Sequence, residues 1–271
     1  MISGWRAFAV PLLLGCAVLL CDCASALKPP GTLPGAGGPS PSPEETRSLL
    51  ERARALDARR NLESVREAAA LFLAAARSGA SRLEALEGSA RSQIWLAGHE
   101  PDPAGRENAA TAAVRSAQWC LELSPESAAC HYWLGAALGV QAREKRSTAL
   151  DALPRIEQAF LAAAGKDPGL EEAGPDRALA LLYLRAPAWP SGPGDPERGL
   201  DRAHRAAALR PGYPPNHLVL AEALSKAGDA KGAREEYAKA AELAGRAAGD
   251  PDAPEWIEEA EKGLYALRGG R

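Results

Sequence analysis

Four stretches of this chain repeat one spacing of residues, and that spacing constrains the fold more than any other feature. Ala113, Ala117 and Cys120 lie four and three residues apart, with Pro125 five further on. Ile156, Phe160, Ala163 and Pro168 repeat these offsets, as do Gly199, Ala203, Ala206 and Pro211. Ala233, Tyr237 and Ala240 give the fourth instance. Offsets of four and three place residues on one face of a helix. Two helices can approach closely only where the facing residues are small, with bulky ones filling the groove beside the contact. Proline then stops the helix and starts its successor. The spacing therefore predicts helices paired into hairpins, stacked one on the next.

The partner helices carry their own signature. Leu134–Gly135 with Leu138, Leu181–Leu182, and Leu220–Ala221 with Leu224 hold corresponding positions. The stretch Asn216–Gly245, with a turn at Gly228–Asp229, resembles a single tetratricopeptide repeat. Residues 44–271 are rich in Ala, Leu, Glu and Arg and lack period-two alternation, so the expected fold is all-α. It is a tetratricopeptide-like α-solenoid of stacked hairpins. An amphipathic helix from about Pro254, marked by Trp256–Ile257, Ala260, Leu264 and Leu267, is expected to cap the end. Local punctuation agrees. Ser42-Pro43-Glu44-Glu45 reads as a helix start, and Asn61 as a further cap.

The amino end reads differently. Arg6, the apolar run Ala7–Leu20 broken at Pro11, and Ala24-Ser25-Ala26 make residues 1–26 an expected export signal. The run is shorter than the ~20 residues of a membrane span. Leu13-Leu14-Gly15-Cys16 resembles a lipobox, which makes Cys16 a candidate for lipidation. The expected location is the bacterial periplasm or the periplasmic face of the envelope, soluble or lipid-anchored. Residues 27–43 are rich in Pro, Gly and Ser and read as a tether. A net charge of −3 without a Lys/Arg block gives no nucleic-acid footprint.

Beyond the signal lie two cysteines, Cys120 and Cys130, each five residues from Pro125. Residues equidistant from such a turn face each other across a hairpin, so a disulfide is one expectation. A pair of buried thiols serving as small hydrophobes is the other.

Ser124 to Leu243 is similar to the TRAP-transporter T-component family. The likeness rests on His131-Tyr132-Trp133-Leu134-Gly135, Lys166-Asp167-Pro168, Leu181-Leu182-Tyr183, Pro187, Gly194-Asp195, Leu209-Arg210-Pro211 and Leu220-Ala221-Glu222. The family's paired glycine before the third hairpin stands here as Ala173–Gly174. The resemblance implies an exported, non-enzymatic accessory of a tripartite carboxylate uptake system. Its partner would be a periplasmic solute-binding protein or that protein's small organic ligand. The alternative is a general envelope scaffold for protein–protein interaction in assembly or secretion.

No GxSxG, P-loop, Rossmann glycine run or HExxH occurs, so neither a catalytic residue nor a cofactor is expected. His99, His131, His204 and His217 lack metal spacing, and no metal site is expected. The binding candidates come from the repeat register. Tyr132 and Tyr183 would line the concave groove, or else pack inside the hairpins. Asn216 and Glu222 would supply polar specificity there. Trp189, inside the Pro/Gly-rich insertion Ala186–Gly194, would stand exposed as a partner anchor.

Overall fold

The computed structural model describes residues 27–33, 35, 37–79 and 81–268. The expected export signal and Cys16 lie outside the described residues. Eleven α-helices follow one another among the described residues, with no strand between them. They are α1 (Pro43–Asp57), α2 (Leu62–Ala75), α3 (Arg82–His99), α4 (Pro103–Leu123), α5 (Ala128–Glu144), α6 (Ala149–Lys166), α7 (Leu170–Arg185), α8 (Pro196–Leu209), α9 (Pro214–Lys226), α10 (Ala230–Arg246) and α11 (Ala253–Ala266). No described helix is long and apolar enough to cross a membrane.

The helix starts follow from their caps. Ser42 Oγ accepts the Glu45 N–H while the Ser42 N–H donates to Glu45 Oε2, a reciprocal capping box at the head of α1. Asn61, Asp102, Ser127, Asp195 and Asp229 accept first-turn N–H groups of α2, α4, α5, α8 and α10.

The helices pair as α1–α2, α3–α4, α5–α6, α7–α8 and α9–α10, and α11 closes the stack on α10 and α9. The small positions of the repeated spacing lie in the hairpin contacts: Ala113, Ala117, Ala163, Ala203, Ala206, Ala233 and Ala240 are all buried. Odd-numbered helices touch one another in sequence from α1 to α11, whereas even-numbered ones do not. The odd helices therefore form the tighter, concave layer, and the even ones splay on the convex side. The curvature is strong enough to join the ends. Arg60, between α1 and α2, lies 3.4 Å from Asp252 beside α11. His99, closing α3, meets Glu255 of α11 at 3.1 Å.

One segment departs from its compositional reading. The described residues between 27 and 41 do not trail from the fold as a free tether. The Trp119 indole N–H donates to Gly31 O at 2.8 Å, and the Gln118 amide to Lys28 O at 2.8 Å. Leu33 joins the core between α1, α2, α3 and α4. At the far end of the segment, Arg77 donates to Pro39 O, and the Ser40 hydroxyl donates back to Arg77 O.

Candidate functional site

The two tyrosines expected in the groove are held inside the helical stack. Tyr183 on α7 is 1% exposed, and its hydroxyl donates to Glu157 Oε1 of α6 at 2.8 Å. The Arg198 guanidinium of α8 lies 4.0 Å above its ring. Burial pushes the Tyr183 phenol up to about 12, and the hydrogen bond to Glu157 adds to the effect. Tyr132 on α5 is half-buried, with its ring against Phe160 at 5.8 Å and Trp133 at 4.9 Å. It presses on α7, since a Cβ built at Gly174 would meet the Tyr132 hydroxyl at 2.9 Å. Both rings therefore weld hairpin to hairpin. An aromatic beside a core position turns inward wherever a neighbouring helix leaves room, and Gly174 leaves that room for Tyr132.

Asn216 is also corrected from a groove residue to an internal brace. It is fully buried, and its amide nitrogen donates to Glu172 O, Ala206 O and Arg210 O at 3.1–3.2 Å. Its Oδ1 accepts from Arg177 Nη1 at 2.9 Å. The same Arg177 donates to Glu171 O and Glu172 O and lies 5.0 Å from the Tyr213 ring centroid. Sequence reasoning missed what these two side chains hold, namely three consecutive non-glycine residues in the left-handed region. Glu171, Glu172 and Ala173 have φ of 48°, 55° and 64°. That conformation is strained for L-residues and persists only where its surroundings fix it.

Glu222 stays partly open but committed. Arg185 Nη2 donates to its Oε2 at 2.6 Å, and Lys226 lies 3.8 Å from Oε1. His131 and His217 serve the backbone: their Nε2 atoms contact Pro125 O at 2.9 Å and Pro211 O at 2.8 Å. Each histidine thus stands six residues after the proline whose carbonyl it meets.

Cys120 and Cys130 are joined by a disulfide with a Cα–Cα distance of 5.4 Å. Glu87 approaches both sulfurs, but the bonded cysteines have no thiolate to offer a metal.

Trp189 differs from the other candidates. At 87% exposure it is the most exposed large hydrophobic residue among those described. The loop that carries it is a built structure. The Gly194 N–H donates to Pro187 O at 2.9 Å, and the Ser191 and Gly192 N–H groups both donate to Ala188 O. Gly194 has to be glycine for this closure, because a Cβ there would fall 2.2 Å from Ala186 O. Gly192 packs against Leu153 of α6. The Asp195 N–H then donates to Tyr183 O, tying the end of the loop to α7 at the buried tyrosine. The arrangement holds a single large aromatic out from a fixed base.

No family model matches the chain, and no curated protein matches it. Solved structures do resemble it. TTC0263, a tetratricopeptide-repeat protein of Thermus thermophilus, superposes with a TM-score of 0.60 at 21% identity, covering 79% of this chain and 98% of that one. The MamA protein gives a TM-score of 0.46 at 16% identity, over 78% of this chain and 97% of that one. The repeated spacing, the paired helices and the likeness to TTC0263 together give this chain the tetratricopeptide-repeat fold, an α-solenoid with five hairpins and a capping helix among the described residues.

Proposed function

We propose that this chain is a non-enzymatic module that binds a protein partner, with Trp189 at the centre of the contact. One observation carries the reading: an 87%-exposed tryptophan on a loop whose own hydrogen bonds fix it. A large aromatic that stays exposed on a rigid base loses little entropy on docking, which is how interface anchors gain their energy. Tyr132, Tyr183 and Asn216 are spent on packing and bracing and Glu222 on its pairing with Arg185, which supports an architectural role for them. The finer reading, resting on the resemblance of Ser124–Leu243, is an exported accessory of a TRAP-type uptake system, anchored or free at the periplasmic face. Its partner in that reading is a solute-binding protein.

The test is capture of partners from envelope extract by the immobilised chain and by Trp189→Ala, with mass spectrometry of what is retained. The expected outcome is a set of proteins lost from the variant, with the two melting curves superimposed. A solute-binding protein among those lost supports the finer reading, and its absence removes it. Equal capture by both chains removes Trp189 from the interface.

A further inference from the structure

On the convex side, the even-numbered helices splay apart, and residues 27–33 lie across α4 in that opening. Three residues of this segment, Leu27, Pro30 and Leu33, are partly buried, while Lys28, Pro29, Gly31 and Thr32 between them are exposed. The buried side chains recur every third residue, as on one face of a proline-rich strand, up to Gly31, whose φ of 69° turns the chain before Leu33. The backbone repeats the period. The carbonyls of Lys28 and Gly31, also three apart, accept the Gln118 amide and the Trp119 indole N–H. Leu27 packs on the core formed by α4, α5, α6 and α7, and Leu33 on that of the first hairpins. Helix α4 thus presents an aromatic donor, an amide donor and two flanking apolar seats to one proline-rich segment. This is the chemistry by which proline-rich peptides are recognised elsewhere.

The cis segment leaves part of that chemistry unused. Beside Lys28–Gly31 a cavity of about 420 Å³ is lined by Thr111, Val114, Arg115, Gln118 and Gln141 among others. Gln118 and Gln141, which line it, each have a buried Oε1 without a hydrogen-bond partner, and Gln141 as a whole is only 8% exposed. A buried acceptor without a donor costs free energy. Pro29 and Pro30 have no N–H with which to reach these oxygens. A peptide keeping the period but carrying a backbone N–H in this stretch would satisfy more of the groove than the chain's own segment does.

From this we infer that the α4 face is a docking groove for a partner peptide of the pattern apolar-x-x-Pro-Gly-x-apolar, the glycine taking the positive φ that Gly31 has here. Residues 27–33 occupy it in cis as a competing strap. The groove uses none of the residues of the Trp189 loop, so its test stands apart from the function proposed above. A cis segment competes at an effective concentration near the millimolar range, so a partner engages fully only when its affinity or concentration exceeds that.

The probe is a fluorescently labelled LKPPGTL peptide, and the protein is the full chain carrying Leu27→Ser and Leu33→Ser to release the strap. Fluorescence anisotropy is expected to show at least tenfold tighter binding to this variant than to the unmodified chain. Adding Trp119→Phe, which keeps a ring and removes the N–H, is expected to weaken binding at least threefold with the melting curve retained. A folded released chain that binds no tighter, or indifference to Trp119→Phe, overturns the inference. A released variant that fails to fold leaves a second measurement on the unmodified chain. Unlabelled peptide at millimolar concentration is expected to speed cleavage between Gly31 and Leu33 by a nonspecific protease, and no change there overturns the proposal. An unmodified chain that dimerises on size exclusion, with dimer lost in the Leu27→Ser, Leu33→Ser variant, also overturns it, because the groove would then serve a second copy.

Discussion

Gly135 lies against the face of Phe160: a Cβ built on it would fall 2.7 Å from Phe160 Cε1 and 2.8 Å from Cδ1. The approach joins α5 to α6, and the same device recurs where Gly88 of α3 meets Phe72 of α2. Gly135→Ala is expected to overpack the hairpin by about 1–3 kcal/mol, read from urea unfolding. Phe160→Leu in the same chain should recover part of the loss. Equal midpoints for wild type and Gly135→Ala would show that the ring moves freely aside.

Ala206 and Ala233 are buried without residual exposure, at the last small contact position of α8 and the first of α10. Either residue changed to Leu adds volume where α7–α8 and α9–α10 have none to give. Each substitution is expected to cost about 1–3 kcal/mol in a thermal or urea melt. Unchanged midpoints in both would break the assignment of these residues to the repeat contacts.

The disulfide makes a prediction with a chemical readout. Cys120 lies in the last turn of α4 and Cys130 in the first turn of α5, so the bond closes a loop across the turn at Pro125. Without reductant, neither cysteine is expected to take iodoacetamide in the denatured protein purified from an oxidising compartment. Reduction should lower stability by about 3 kcal/mol, the scale for a short closed loop. Alkyl groups on both cysteines before reduction would refute the pairing.

How much of this was legible in the sequence follows from what enforces each feature. The offsets of Ala113, Ala117 and Cys120 are dictated by helix contact, and so they recur and can be read. Caps such as Ser42 and Asn61 are local chemistry and equally readable. The direction of a side chain beside a core position is not local. Tyr183 turns inward because Glu157 and Arg198 on neighbouring helices receive it, and Tyr132 because Gly174 leaves space. The docked segment 27–33 was hidden for a related reason. Its composition says only that it cannot form a core of its own, while its contacts depend on Trp119, which lies 88 residues away from Gly31.

Two paired carboxylates each contribute a pH-dependent part of the stability. A hydrogen bond from Arg143, with help from Arg106, holds the Glu144 carboxyl below its ordinary value of 4.5. The Arg66 guanidinium does the same for Glu100. A carboxyl with a depressed folded pKa contributes its stability above the unfolded value and loses it as pH falls through the folded one. The stability that these two groups contribute should therefore be level above about pH 5 and be lost as pH falls below the 4.5 reference. Glu144→Gln should melt lower than the parent at pH 7, and the gap should narrow towards pH 3. A gap constant with pH would mean that the charge on Glu144 contributes nothing.

The strained turn at the head of α7 separates bracing from binding as the role of Asn216. Three left-handed residues in succession, Glu171, Glu172 and Ala173, carry a cost of roughly 1–2 kcal/mol each. Asn216 and Arg177 offset it by holding the carbonyls of Glu171 and Glu172. Ala173, at φ 64°, is the residue where a side chain does least for the turn and where glycine would remove strain. Ala173→Gly is therefore expected to gain up to about 1 kcal/mol, the flexibility of glycine in the unfolded chain taking back part of the relief. Asn216→Ala leaves buried carbonyls and one Arg177 N–H without their partner, and should cost about 1–3 kcal/mol. The double variant should fall between them, because less strain then needs holding. Circular dichroism melts of the three chains check the order. Partner capture by Asn216→Ala, measured well below its melting temperature, should equal that of the parent. A variant with an unchanged melt and lost capture would return Asn216 to the binding surface.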